Sequence, residues 1–195
     1  MSTRVGLWAG GGALVLALAA GSTLAMAGLG GGLRLPGSRG GCGIPVLDGA
    51  VVDVTLTDMG PMSAGRGGGP GLMMGEPWAS MRVLASPASV QSGTVSLRVV
   101  NAGMLRHELL VLPLPLGQAV GTRTVGADGQ VDETAALGEA SRDCAPGAGD
   151  GIHAGAAGWV TLRLAAGRYE LVCNRVGHYG AGMFTELDVT AAGRT

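Results

Sequence analysis

Lysine is missing from this chain. All 13 of its basic side chains are arginine, and they stand singly, with no basic run. Charge of either sign is sparse, at 14% of residues, and the formal net charge is −1. A nucleic-acid partner is therefore not expected, because phosphate neutralisation needs clustered cations. Cysteine and histidine are scarce too, three of each in 195 residues. There is no internal repeat and no strand-then-helix alternation, so nothing points to a parallel doubly wound sheet. Glycine, by contrast, is abundant at 38 residues. It weakens helix interiors, so the composition favours strands and loops over long helices.

The N-terminus reads as a targeting segment. Arg4 precedes an uncharged stretch from Val5 to Leu33, whose apolar centre is A-L-V-L-A-L-A-A at residues 13–20. Ala25-Met26-Ala27 then offers a small-x-small cleavage signal. Two fates stay open. Cleavage leaves a soluble exported protein, and retention leaves a membrane anchor through residues 5–29, long enough to cross a bilayer. In both, the remainder is expected outside the cytoplasm, in the periplasm or at the cell surface, with the early positive charge staying inside. Lipid attachment at Cys42 is the poorest option, because Arg39 stands close before it. Residues 1–27 are thus read as signal peptide or anchor, residues 28–45 as a Gly-rich tether, and residues 46–195 as one folded domain. Roughly 150 residues suffice for one buried core.

That domain is patterned as short strands. Val51–Thr57, Met81–Ala85 and Thr94–Asn101 carry strand signals, the last with Val95, Leu97 and Val99 on one face. Glu108–Leu112 is an apolar run that Pro113 and Pro115 are expected to end. A long excursion, residues 117–157, follows, with a helical turn or two expected near Asp132–Ala140. Trp159–Leu164 alternates again, and Ala165-Ala166-Gly167 marks a turn. Arg168–Cys173 sets Tyr169, Leu171 and Cys173 on one face, and Phe184–Thr190 sets Leu187 and Val189 inward. Period-two patterning with frequent Gly turns predicts an all-β fold, an antiparallel β-sandwich.

Residues 173–183 read C-N-R-V-G-H-Y-G-A-G-M. Cys173 ends a strand, His178 lies in the following loop, and Met183 opens the next strand. A tight loop between strands brings three such side chains to one point. His107, at the start of an earlier strand, supplies a second imidazole. Two His, one Cys and a weak axial Met are the donor set of a blue, type 1 copper centre. The thiolate binds both oxidation states, the imidazoles suit both, and the soft thioether favours Cu(I).

At this point a resemblance becomes plain. Y-E-L-V-C-N-R-V-G-H-Y-G-A-G-M, residues 169–183, resembles the C-terminal copper signature of the cupredoxins. Its Cys-x4-His-x4-Met spacing is similar to the rusticyanin and sulfocyanin branch rather than to plastocyanin. N-A-G-M-L-R-H-E-L-L-V-L, residues 101–112, resembles the segment carrying the first His ligand. The resemblance covers roughly residues 50–190. It implies a Greek-key β-sandwich with one copper at one end, held by His107, Cys173, His178 and Met183. It implies an electron carrier rather than an enzyme, with redox proteins as partners and His178 as the electron port. An N-terminal hydrophobic anchor also occurs in sulfocyanins. In several cupredoxins Asn follows the first His; Glu108 stands there, which puts its side-chain role in doubt but leaves its backbone N–H able to bond the Cys173 sulfur.

Cys173 as a buried structural thiol and the His and Met as ordinary packing residues explain each position singly, but not the set. Zinc rarely takes Met, and no partner motif supports a Cys-His nucleophile. Three His are far too few for a trinuclear copper oxidase, and one Cys in the loop excludes a binuclear purple centre. Copper storage or delivery is the alternative function, with Met59, Met62, Met73, Met74 and Met81 as Cu(I) donors or, more simply, as packing. Cys42 and Cys144 can pair as a disulfide or stay free thiols. His153 is expected at the surface. The apolar, Gly-rich ground around Tyr179 and Ala181 is the expected docking patch.

Overall fold

The computed structural model describes residues 42–59 and 81–193; the leader, most of the tether, and Met62, Met73 and Met74 lie outside the described residues. No helix among the described residues is long and apolar enough to cross a membrane. Nine strands are present among them: β1 (Ala50–Thr57), β2 (Arg82–Ser86), β3 (Ser89–Gln91), β4 (Gly93–Asn101), β5 (Leu109–Leu114), β6 (Gly138–Ala140), β7 (Ala157–Leu164), β8 (Gly167–Val172) and β9 (Phe184–Thr190). They form two sheets, in the orders β2-β1-β4-β7 and β3-β9-β8-β5-β6. The fold is an all-β, two-sheet sandwich, as the patterning predicts.

The alternation in β4 explains its central place. Val95, Leu97 and Val99 are fully buried against the other sheet. From the facing sheet come Leu109 and Val111 of β5, Tyr169 and Leu171 of β8, and Leu187 and Val189 of β9. Such packing of period-two apolar faces is what holds two sheets together. Burying one Leu of this core contributes about 1.5–3 kcal/mol.

Three expectations need correction. The sandwich is not wholly antiparallel: β1 runs parallel to β4, and β3 parallel to β9. β3 and β6, at three residues each, were too short to leave a periodic signal. β5 does not stop at Pro113 but continues to Leu114, with Pro113 opposite Tyr169 of β8. β6 pairs only with Leu109–Val111. Pro113 therefore sits where β5 has lost its outer neighbour, a place where a missing N–H costs little. The third correction concerns Asp132–Ala140, which holds no helix. Asp132 Oδ1 accepts bonds from the Thr134 N–H (2.9 Å) and hydroxyl (2.5 Å), an Asx-type turn that leads into β6.

The excursion also does more than connect. It covers the outer face of the second sheet, where Leu110, Leu112, Val131, Val172 and Tyr179 form a second buried cluster with Ala136 and Phe184 against it. Beneath it lies Glu170, fully buried. Its Oε1 accepts the Gly121 N–H (2.7 Å) and the Tyr179 hydroxyl (2.9 Å), and its Oε2 meets Arg123 Nε at 2.5 Å. A buried carboxylate needs this full set of partners. Cys42 and Cys144 form a disulfide with Cα atoms 5.0 Å apart. It ties the N-terminal end of the described chain to the excursion and leaves Cys42 no free thiol for a lipid.

Candidate metal centre

Two loops meet at one end of the sandwich. The first, residues 102–108, follows β4 and is shaped by Asn101, which is fully buried. The Asn101 side chain donates to the carbonyls of Leu105 (2.7 Å) and Ile152 (2.8 Å), and its Oδ1 accepts the Gly103 N–H (2.8 Å). Asp58, just past β1, accepts the N–H groups of Met104 (2.8 Å) and Leu105 (2.7 Å). His107 then pairs with Ile152 in an isolated bridge. The loop thus delivers the His107 ring into the interior rather than to solvent.

The second loop joins β8 to β9. Its closure is backbone work: the Cys173 N–H donates to the Met183 carbonyl (3.0 Å), and the Met183 N–H to the His178 carbonyl (3.1 Å). Gly177 and Gly182 take φ of 80° and 91°, a left-handed conformation that favours glycine. Asn174 anchors the loop outward. It accepts the Val131 N–H (2.7 Å) and donates to the Val131 carbonyl (2.9 Å) and to Glu133 Oε1 (2.6 Å).

The loops bring His107, Cys173 and His178 together, all three buried. The two imidazoles face each other through Nδ1, 3.2 Å apart, and Cys173 Sγ lies 3.7 Å from the Nδ1 of His107 and 3.4 Å from that of His178. A triangle with those sides has its centre about 2.0 Å from every corner, the length of a metal–imidazole bond and a little short of the ~2.3 Å of a metal–thiolate bond. The donor atoms therefore fit a metal ion without rearranging. Met183 is fully buried in the same core cluster as Cys173. Two imidazoles, a thiolate and a buried thioether are the donor set of type 1 copper and a poor one for zinc.

The electrostatics describe ligands held neutral until a cation arrives. Burial pushes the Cys173 thiol up to about 12, against the opposing pull of the Glu108 and Arg175 backbone N–H groups. The first of those reaches the sulfur at 3.4 Å. Burial also drops His178 to about 4, helped by His107 and Arg175. His107 is lowered by burial in opposition to Asp58. Asp58 itself is raised by burial but falls below its usual value overall, because the Met104 and Leu105 N–H groups and His107 favour its charge.

Glu108 is buried, and its carboxyl is pushed up to about 7 by burial despite Arg175. Arg175 Nη1 lies 3.8 Å from Glu108 Oε2, so the two ligand loops are linked through an ion pair instead of an amide. His178 retains 6% exposure, whereas His107 has none. His153 is at the surface beside Asp143. Met81 belongs to the core and Met59 is partly exposed. Tyr179 is not available for docking: it is buried, with its hydroxyl on Glu170. The exposed apolar side chains of the two loops are Met104 (76%), Leu105 (44%) and Val176 (67%). Asp58, Asn101 and Asn174 escaped the sequence reading; each stands at or just past the end of a strand.

No family model and no curated protein matches the chain. Solved structures do. Auracyanin B is 22% identical, with 77% of this chain and 96% of that chain covered and a TM-score of 0.44. Auracyanin A, a "blue" copper protein from Chloroflexus aurantiacus, is 16% identical, with 72% and 100% covered and a TM-score of 0.41. Rusticyanin from Thiobacillus ferrooxidans is 19% identical, with 73% and 79% covered and a TM-score of 0.40. The copper assignment rests on the donor atoms and not on these distant likenesses. In its two-sheet sandwich and its His-Cys-His-Met donor set, this chain is cupredoxin-like.

Proposed function

We propose that this protein is an exported one-copper electron carrier, passing single electrons between redox proteins outside the cytoplasmic membrane. What supports the reading above all is the close convergence of His107 Nδ1, His178 Nδ1 and Cys173 Sγ. A bound copper ion would supply a one-electron couple there. The chain's own part is to hold the donors still. His107 is fixed by the Ile152 bridge, Cys173 by two backbone N–H groups, and His178 and Met183 by the bonds that close their loop. Donors that need not move when the charge changes leave little to reorganise on transfer.

Among the described residues His107 is fully buried and His178 keeps only 6% exposure, so the donor atoms are shielded from solvent. That favours a carrier over an enzyme. The disulfide agrees with an oxidising compartment.

The test is a visible spectrum of residues 42–195, which keep the Cys42–Cys144 disulfide, after addition of Cu(II). The expected result is one copper per chain and an intense thiolate-to-copper band that bleaches with ascorbate and is absent in Cys173→Ser. A colourless protein, or several Cu(I) bound with Cys173 dispensable, would move the case to storage or delivery.

A further inference from the structure

The buried carboxylate behind His107 has no part in the donor set. Asp58 Oδ2 lies 3.6 Å from His107 Nε2, the ring nitrogen that faces away from the other ligands. That nitrogen is buried and has no partner within hydrogen-bonding distance. The Asp58 side chain is itself 7% exposed. The loop is built around this contact. A Cβ on Gly103 would come within 2.5 Å of Asp58 Oδ1 and 2.9 Å of His107 Nε2, so glycine leaves the room that the carboxylate and imidazole share. Met104 and Leu105 then point their N–H groups at the two Asp58 oxygens.

We propose that Asp58 is a positioning and tuning residue for the copper centre, setting the His107 tautomer and lowering the reduction potential. The inference rests on the one-copper reading above. An imidazole that gives Nδ1 to a metal must carry its proton on Nε2, and a carboxylate beside Nε2 favours that tautomer. Charge gives the second effect. With a thiolate ligand the reduced site is neutral and the oxidised site carries one positive charge. A fixed negative charge held out of water stabilises the second more than the first.

Asp58→Asn keeps a carbonyl oxygen for the loop N–H groups and removes the charge. Asp58→Ser does the same with a hydroxyl, in case the first variant does not fold. Wild type and variants are loaded with one Cu(II), and the reduction potential is measured by titration alongside the visible spectrum. The expected result is a blue variant whose potential rises by about a tenfold change in the oxidised-to-reduced ratio, ~59 mV for one electron. In the Cu(I) wild type, NMR should find the His107 Nε2 proton protected from solvent exchange, and exchanging faster in the variants. An unchanged or lowered potential in blue variants would overturn the proposal and leave Asp58 a loop acceptor only. A wild type that takes up no blue copper would instead sink the electron-carrier reading itself.

Discussion

Cys173 shows at the scale of one residue how a ligand is kept in reserve. Buried, with its thiol pushed up to about 12, it is protonated at any ordinary pH in the metal-free protein. A metal binds the thiolate, so loading must expel that proton. At pH 8, His178, at about 4, is already neutral, and Glu108, at about 7, is mostly ionised. Copper binding at pH 8 should therefore release about one proton per copper, and apparent affinity should rise about tenfold per pH unit above it. The direction follows from which form each state holds: thiolate in the loaded protein, thiol in the metal-free one, so raising pH favours loading. Calorimetry in buffers of different ionisation enthalpy counts the proton. A count near zero would mean that Cys173 is already a thiolate and that burial does not control it.

The four ligand positions were legible because their order and spacing carry the chemistry. The residues that hold them were not. Asp58, Asn101 and Asn174 take their meaning from partners more than forty positions away, except for the bonds Asn101 makes inside its own loop. No local pattern encodes such a contact. Tyr179 was misplaced for a related reason. A tyrosine next to a ligand in a Gly-rich loop looks exposed until the buried Glu170 that receives its hydroxyl is known.

At the scale of elements, strands with one clean apolar face were readable, and those with both faces covered were not fully so. β4 alternates and its inward residues follow the pattern. β5 and β8 are buried on both faces along most of their length, because the excursion packs on their outer side. Their sequence shows an apolar run but not what lies over it. The clamp between excursion and copper loop depends on Asn174. Asn174→Ala would leave the buried Val131 N–H and carbonyl without partners, at about 1–3 kcal/mol each. We expect the variant to lose about 2–4 kcal/mol in denaturant unfolding of the metal-free protein. A loss under about 0.5 kcal/mol would mean that the excursion is held by its apolar cluster alone.

For the whole molecule, the sandwich puts its chemistry at one end and its exposed loop hydrophobics beside it. The chain carries almost no net charge, so long-range steering toward a partner is weak and encounter depends on short-range contact. His178 keeps its sliver of exposure between Gly177 and Gly180, both exposed, with Val176 next along the loop. If electrons pass at this end, two molecules exchanging an electron with each other must bring their Val176 side chains close. Val176→Asp would then set like charges together, a cost of about 1 kcal/mol per close pair in water. Self-exchange should slow about fivefold at low ionic strength and recover with added salt, since screening acts on exposed charges. NMR line widths in mixed Cu(I) and Cu(II) samples give the rate. The fold and the donor triangle do not involve the Val176 side chain, so the blue band should stay as it was. A rate that ignores the new charge at low salt would place electron exit elsewhere on the surface.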